Sequence, residues 1–276
     1  MDNRKIGLFD SGLGGLTVMK ELMCHLPQES IVYFGDTGRI PYGTKSVDTV
    51  IKYTKSDINF LRTFDLKLIV AACGTASSIA LPRLKGQYDI PVFGVTEAAG
   101  RAAAKATKNG RVGVIGTAGT VRSDAYGKII AAVNPAIQTV SVTCALFVPL
   151  VEDGFTEKEA ARLIAEEYLA PIKESGADTL ILGCTHYPLL TKVIGEIMGE
   201  GVTLINPGVA IAEEIKAWLK EKDLLAEKQD EEQYRFYVSD VPEDFVRLGS
   251  MFLERPISGH ITQIDIEQYS EAKASV

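Results

Sequence analysis

The sequence offers little from which a disulfide framework or a structural metal site could be built. Its 276 residues contain four cysteines and three histidines, and no two cysteines form a C-x-x-C pair. A structural zinc site takes four clustered cysteine or histidine ligands, so this spacing predicts no metal site. We expect free thiols, the usual state of cysteine in a reducing cytoplasm.

The sequence also has fewer basic than acidic residues and no long apolar run. The chain has 29 Lys and Arg against 36 Asp and Glu, a net charge of −7, which argues against a nucleic-acid partner. The most apolar run, 68–81, is interrupted by Gly, Thr and Ser and is shorter than the ~20 residues of a membrane-spanning helix. The first residues lack the apolar region of a signal peptide. These absences predict a cytoplasmic protein without a membrane partner.

What the sequence does contain is an alternation of short β-branched runs with amphipathic stretches. Such alternation is typical of an α/β fold with buried parallel sheets and helices on both faces. The predicted strands are 5–9, 31–35, 66–71, 92–95, 112–115, 138–142, 179–182, 203–205 and 234–239. The predicted helices are 48–63, 97–108, 123–133, 157–175, 187–198 and 241–253, with a solvated helix end and loop at 220–233.

Part of this pattern occurs twice. A strand with a glycine-rich turn at 6–15 is matched by another at 112–120, and the strand before Cys73 is matched by the strand before Cys184. The repeat predicts two similar α/β domains related by pseudo-symmetry. Ligands of open parallel sheets bind at the carboxyl ends of strands, so we expect the active site in the cleft between the domains.

Two thiols facing one substrate from opposite sides have the chemistry to invert a stereocentre. One thiolate removes a proton from carbon and the opposite thiol returns a proton to the other face. The ordinary thiol pKa of about 8.5 makes both forms accessible near neutral pH. Asp10 is the expected neighbour of Cys73, and His186 with Glu152 the expected neighbours of Cys184.

The remaining polar side chains of these turns suit an anionic amino acid. Hydroxyls and backbone N–H groups bind carboxylates without arginine; the candidate hydroxyls are Ser11, Thr75, Thr117, Thr120 and Thr185. The glycines at 12, 14 and 15 do not form a G-x-G-x-x-G fingerprint, so dinucleotide binding is only weakly indicated. No lysine stands in a pyridoxal-binding pattern, and the expected chemistry needs no cofactor. Cys24 and Cys144 are interpreted as packing residues.

Six motifs follow one another along most of the chain. They are FDSGLGG (9–15), GDTGRIPYG (35–43), ACGTAS (72–77), GTAGTVRSDAY (116–126), FVPLVEDG (147–154) and LGCTHYP (182–188). Together they resemble the bacterial glutamate racemases of the cofactor-independent aspartate/glutamate racemase family.

The resemblance implies interconversion of L- and D-glutamate for peptidoglycan, without a cofactor, by a homodimer. It implies one domain of residues 1–97 with 208–276 and another of residues 98–207. Cys73 and Cys184 match the two acid/base thiols, which the family tunes with Asp10, Glu152 and His186. The implied substrate contacts are Asp10, Ser11, Tyr42, Gly43, Gly74, Thr75, Thr117, Thr120, Thr185 and His186.

The sequence departs from the family pattern at three places. The usual Cys-Asn-Thr is Cys73-Gly74-Thr75, so an amide that helps hold the substrate is absent; Ala98 and Ala145 replace two prolines. Two alternatives therefore stay open, namely a racemase of aspartate or a broader range of amino acids, and a catalytically impaired paralogue that binds an acidic amino acid. A hydrolase built on Cys184 and His186 would leave Cys73 and the repeat without a role.

Overall fold

Two parallel β-sheets organise the chain in a computed structural model that describes residues 1–227, 233–241, 245–257 and 261–270. The strands are β1 Lys5–Asp10, β2 Ile31–Gly35, β3 Leu66–Ala71, β4 Val92–Gly94, β5 Arg111–Gly116, β6 Gln138–Thr143, β7 Thr179–Leu182, β8 Thr203–Ile205, β9 Tyr234–Val238 and β10 Ile261–Gln263.

Helices connect the strands and cover the sheets. They are α1 Leu16–His25, α2 Val47–Leu61, α3 Gly74–Ile79, α4 Leu81–Leu84, α5 Val95–Ala106, α6 Ala118–Ser123, α7 Ala125–Val133, α8 Phe147–Glu152, α9 Glu159–Glu174, α10 Thr191–Met198, α11 Pro207–Glu221 and α12 Phe245–Leu253. Short 3₁₀ helices lie at Thr37–Arg39, Tyr42–Thr44, Tyr187–Leu190 and Ile266–Tyr269. Within the described residues, none of the helices combines the length and the apolar character that crossing a membrane requires.

The two sheets share one topology, which confirms the predicted repeat. The first has the strand order β10-β9-β2-β1-β3-β4 and the second β6-β5-β7-β8. Each places its opening strand, β1 or β5, beside the strand that ends at a cysteine, β3 or β7. Every strand pair in the described chain is parallel. The fold is thus two parallel-sheet α/β domains, with β9 and β10 extending the first sheet.

Alternate residues of β1 face two different cores. Ile6 and Leu8 belong to a large apolar cluster that continues through α1, α5 and α11 to Val114 and Leu180 of the second sheet. Phe9 packs instead into a smaller cluster beneath α2. The large cluster joins the two domains along one side, which leaves the polar turns after their strands to face each other.

Several predicted boundaries were wrong for local reasons. The predicted helix 123–133 is interrupted at Asp124, whose φ of 51° lies in the left-handed region and ends α6 before α7 begins. The predicted helix 187–198 begins as a 3₁₀ turn containing Pro188, and Val95 opens α5 instead of ending β4. The predicted helix 241–253 is observed from Phe245. Its residues 242–244, and 228–232 of the predicted loop, lie outside the described residues.

Candidate active site

A cavity of about 510 Å³ lies between the two domains, at the carboxyl ends of their strands. Most predicted site residues line it: Ser11, Tyr42, Gly43, Cys73, Gly74, Thr75, Thr117, Glu152, Cys184, Thr185 and His186. Asp10 and Thr120 are buried just behind this lining. Because Cys73 follows β3 and Cys184 follows β7, the two topologically equivalent turns open on the same space.

Cys73 caps the N-terminus of α3. Its Sγ accepts a hydrogen bond from the Ala76 N–H at 3.5 Å and contacts Ser11 Oγ at 3.4 Å as a donor. Burial and the neighbouring Asp10 carboxyl raise the pKa of the Cys73 thiol to about 12, against the lowering effect of these two hydrogen bonds. At neutral pH Cys73 therefore carries its proton.

Asp10 ends β1, directly beside the end of β3. Its Oδ2 accepts the Gly12 N–H at 3.1 Å, and the carboxyl is almost completely buried. Burial raises the pKa of Asp10, while the nearby His186 lowers it. A Cβ on Gly15 would lie 2.4 Å from the Asp10 Cβ, so the turn must carry glycine there for the carboxyl to fit.

Cys184, His186 and Glu152 form a chain of contacts on the other side of the cavity. His186 Nδ1 lies 3.8 Å from Cys184 Sγ, and His186 Nε2 lies 3.0 Å from Glu152 Oε1. The ring stands edge-on to Phe252, with centroids 5.0 Å apart. Burial opposes a charge on the ring, but the hydrogen bonds with Cys184 and Glu152 outweigh it and raise the pKa of His186 to about 10.

The two thiols thus have opposite electrostatic surroundings. Asp10 places an acidic group beside Cys73, whereas a protonated His186 places a positive charge beside Cys184. A positive neighbour stabilises a thiolate and a negative one a thiol. The two thiols therefore differ in the nature of their nearest ionisable neighbour.

Hydroxyl groups bridge the two domains at the cavity wall. Thr75 Oγ1 of the first domain lies 2.9 Å from Thr117 Oγ1 of the second, which in turn donates to Thr120 Oγ1 at 3.1 Å. Thr17 Oγ1 donates across the same boundary to the Thr185 carbonyl at 2.9 Å. Among the described residues that line the cavity there is no lysine or arginine.

Three glycines allow the domains to approach this closely. A Cβ on Gly14 would lie 2.3 Å from Thr185 Oγ1, one on Gly43 would lie 2.8 Å from Thr117 Cβ, and one on Gly74 would lie 2.5 Å from the Gly183 carbonyl oxygen. Real Cβ atoms do not approach other atoms so closely. Gly74, where the family pattern has asparagine, is thus a direct contact between the half-sites that carry the two thiols.

Some cavity residues were not predicted. Cys144, interpreted as a packing residue, is fully buried and still contributes to the lining, next to an apolar patch formed by Val148 and Pro149. Asp240, after β9, and Leu248, in α12, close the cavity from the C-terminal part of the chain. The motif FVPLVEDG could have indicated that Val148 and Pro149 lie at the site. No pattern in the sequence linked Asp240 or Leu248 to the cysteines.

Residues suited to a metal ion do not cluster here. Over the described ranges of the chain, no three His, Cys, Asp or Glu side chains form a group that could hold one.

Glu152→Gln is expected to move the alkaline limb of the pH–rate profile down by roughly one pH unit. The substitution removes a negative charge 3.0 Å from His186 Nε2, so the pKa of His186 falls from its value of about 10. The imidazolium beside Cys184 is then lost at lower pH. The control is Glu157→Gln, an exposed carboxylate paired with Lys192. If the alkaline limbs of the pH–rate profiles of Glu152→Gln and the unsubstituted protein coincided, this role of Glu152 would be contradicted.

Sequence and fold both match known proteins. Residues 20–215 match the family described as Asp/Glu/Hydantoin racemase. A glutamate racemase from Geobacter metallireducens is 48% identical over 97% of this chain and 99% of its own length. The crystal structure of a glutamate racemase from Francisella tularensis in complex with D-glutamate is 40% identical and covers 98% of this chain and 100% of its own, with a TM-score of 0.90. That of the isoform RacE1 from Bacillus anthracis is 36% identical over 96% and 98%, with a TM-score of 0.90.

Proposed function

The chain belongs to the Asp/Glu/Hydantoin racemase family, and we propose that Cys73 and Cys184 are the two acid/base thiols with which it racemises glutamate. The activity is the interconversion of L- and D-glutamate, the reaction of an isomerase that supplies D-glutamate for peptidoglycan. One observation carries the assignment of the thiols: both open on one cavity, each with its own ionisable neighbour.

The proposed reaction transfers one proton on each face of the α-carbon. With the α-hydrogen directed at Cys184, the thiolate takes that proton and the electron pair stays on the α-carbon, delocalised into the carboxylate. Cys73 then donates its thiol proton to the opposite face, which gives the other enantiomer, a Cys184 thiol and a Cys73 thiolate. The reverse reaction runs through the same states in the opposite order. His186 stabilises the Cys184 thiolate, and Asp10 favours return of a proton to Cys73.

The cavity supplies a setting in which a buried carbanion can form. Its hydroxyls, at Ser11, Thr75, Thr117 and Thr185, are donors for substrate carboxylates. Their oxygens are held in place by bonds within the protein, such as the 2.9 Å contact between Thr75 and Thr117, so only the hydroxyl hydrogens have to turn toward a bound carboxylate. His186 adds the positive charge that an anionic substrate and a carbanion both favour.

Substrate choice is tested with both enantiomers of glutamate, aspartate and alanine, followed by chiral chromatography without added cofactor. We expect turnover of both glutamate enantiomers and at least about a hundredfold lower kcat/KM for aspartate, because a site built for hydrogen bonds at one chain length leaves them unmade at another. Strict preference for aspartate would overturn the assignment of glutamate. Tight glutamate binding without turnover would favour a binding protein, the alternative that Gly74 raises.

We further propose a division into domains at residues 1–97 with 208–276 and at residues 98–207, together with a homodimeric state and a cytoplasmic location. The division is supported by the two sheets, whose strands before 95 and after 233 belong to one and whose strands from 111 to 205 belong to the other. The cytoplasmic location is supported by the need for two reduced thiols. The homodimer rests on the family alone, and sedimentation equilibrium tests it: a mass of one chain at all concentrations would reject it.

A further inference from the structure

A buried cluster of charged and hydroxyl groups lies directly behind one wall of the cavity. It joins Asp36, which follows β2, to Arg39 and Tyr42 in two short 3₁₀ helices, and to Asp57 in α2. Both carboxylates are completely buried, and the guanidinium side chain is 9% exposed. The Asp36 and Asp57 carboxyls and Arg39 have no role in the chemistry derived above.

The contacts in this cluster are all direct. Arg39 Nε donates to Asp36 Oδ2 at 2.7 Å and Arg39 Nη2 to Asp57 Oδ1 at 3.0 Å. The Tyr42 hydroxyl lies between the carboxyls, in hydrogen-bond contact with Asp36 Oδ2 and 2.9 Å from Asp57 Oδ2. Arg39 also lies over the Tyr53 ring, 4.2 Å from its centroid, and that ring packs on Tyr42.

Counting protons shows that one of the carboxyls is neutral. A tyrosine hydroxyl has a single hydrogen, so it can donate to one of its two carboxyl neighbours but not to both. The second oxygen–oxygen contact needs a proton from the other partner, which is a carboxylic acid. The charges agree, because one buried guanidinium balances one carboxylate and would leave a second one uncompensated.

The proton belongs on Asp57. Both carboxyls contact Arg39 and Tyr42, and burial raises the pKa of Asp36 too, but Asp36 Oδ2 accepts from Arg39 Nε and Tyr42 together and a further hydrogen bond with Ser239 favours its ionised form. Burial, the Asp36 carboxylate and the more distant Asp10 raise the pKa of Asp57 well above its ordinary value, against the lowering effect of Arg39 and Tyr42. Tyr88 lies close enough to Asp57 to interact with it electrostatically, and Glu267 contacts the cluster through Arg39 Nη1 at 3.4 Å.

The cluster is tied to the active site through the backbone of Tyr42–Thr44. Tyr42, Gly43 and Thr44 all line the cavity, and Gly43 lies against Thr117 of the second domain. The tyrosine hydroxyl is used entirely inside the cluster. A substrate at this wall therefore meets the backbone of the segment, whose place depends on how firmly Tyr42 is held.

We propose that Asp57 is a positioning residue, which as a neutral acid donates to Tyr42 and so fixes the Tyr42–Thr44 segment against the substrate. The proposal rests on the function proposed above, since it assigns this segment to binding of the amino acid. It predicts an effect on KM and not on proton transfer, because both thiols lie on other turns.

The kinetic test compares Asp57→Ala, Asp57→Asn and Asp36→Asn. Asp57→Ala is expected to raise KM for both glutamate enantiomers about tenfold, the effect of one lost hydrogen bond at the wall, with kcat within about threefold. Asparagine has the shape and donor of the neutral acid, so Asp57→Asn should restore KM to within about twofold. The same change at Asp36 removes the ionised partner of Arg39, so the KM of Asp36→Asn should stay above that of the unsubstituted protein. A KM for Asp57→Asn as high as that of Asp57→Ala, or equal tolerance at both positions, would overturn the proposal.

A stability measurement tests the protonation of Asp57 without relying on activity. A carboxyl whose pKa is raised in the folded protein adds to the free energy of unfolding at low pH. That contribution is lost as pH rises from about 4, the ordinary pKa, through the pKa in the folded protein. Asp57→Asn has no such proton and does not lose this contribution. The ratio of its folding equilibrium constant to that of the unsubstituted protein, measured by urea unfolding, should therefore rise by up to about tenfold per pH unit between pH 4 and 8. Parallel pH profiles would reject a neutral Asp57 even if glutamate proved not to be the substrate.

Discussion

Cys73→Ser and Cys184→Ser are each expected to lower kcat for glutamate racemisation at least about a thousandfold, in both directions. Each enantiomer needs a base on one face and an acid on the other, so losing either thiol stops the whole cycle. A serine hydroxyl is a much weaker acid than a thiol, so it replaces neither the base nor the acid of this pair. Both cysteines are almost fully buried in a cavity wall, and serine occupies nearly the same volume, so both variants should fold.

Cys24→Ser provides the matched control for these variants. Cys24 is an exposed free thiol, and its replacement should leave kcat within about twofold, as expected for a surface substitution. Cys144→Ser is a stricter comparison, because Cys144 lines the same cavity but lies in neither repeated turn. Turnover by both Cys73→Ser and Cys184→Ser at the rate of the unsubstituted protein would contradict the two-thiol account.

The second large effect is expected at Gly183, where alanine should lower kcat/KM about a hundredfold. The added Cβ would lie 2.6 Å from the Ile115 carbonyl oxygen, which belongs to the backbone of β5 and cannot turn aside as a flexible side chain can. The turn that carries Cys184 must then shift, and a shift of about 1 Å in reacting groups costs a factor of this size. The reaction is followed with both enantiomers, together with the midpoint of thermal unfolding.

Gly195→Ala is the control for the glycine variant. Gly195 lies inside α10, where a new Cβ would meet only Leu204 Cδ1 at 3.7 Å, an ordinary contact. Alanine in a helix interior stabilises by about 0.5–1 kcal/mol relative to glycine, and kcat should not change. A Gly183→Ala protein as active as this control would mean that the turn before Cys184 tolerates a larger shift than the contact with the Ile115 carbonyl implies.

The fold class of this protein could be predicted from its sequence because it follows from local patterns. The buried strands are continuous apolar runs, so nine of the ten strands in the described residues could be predicted, together with their parallel pairing and the position of Cys73 and Cys184 after β3 and β7. The three-residue strand β10 was not predicted. The duplicated turns indicated two similar domains for the same reason. Residues that follow such strands meet at one edge of a sheet whatever the rest of the chain does.

Features that depend on distant partners could not be predicted in this way. Asp36 and Asp57 are separated by most of α2, and only the folded chain shows that they share one tyrosine hydroxyl. Cys144 was interpreted as a packing residue because cysteine is among the most often buried residue types. It is indeed buried, and it also lines the cavity. The break at Asp124 is a left-handed residue inside a helical pattern, which periodicity does not reveal.

The measurement that tests the two-thiol account most directly is racemisation of L-glutamate in D₂O, stopped after a small fraction has reacted. The enantiomers are separated and the α-position of each is examined by proton NMR and mass spectrometry. Two thiols on opposite faces predict D-glutamate that carries deuterium, while unreacted L-glutamate still carries hydrogen, and the mirror result from D-glutamate. Early product that keeps its original hydrogen, or deuterium entering both enantiomers equally from the start, would show that a single group handles the proton and would contradict the account.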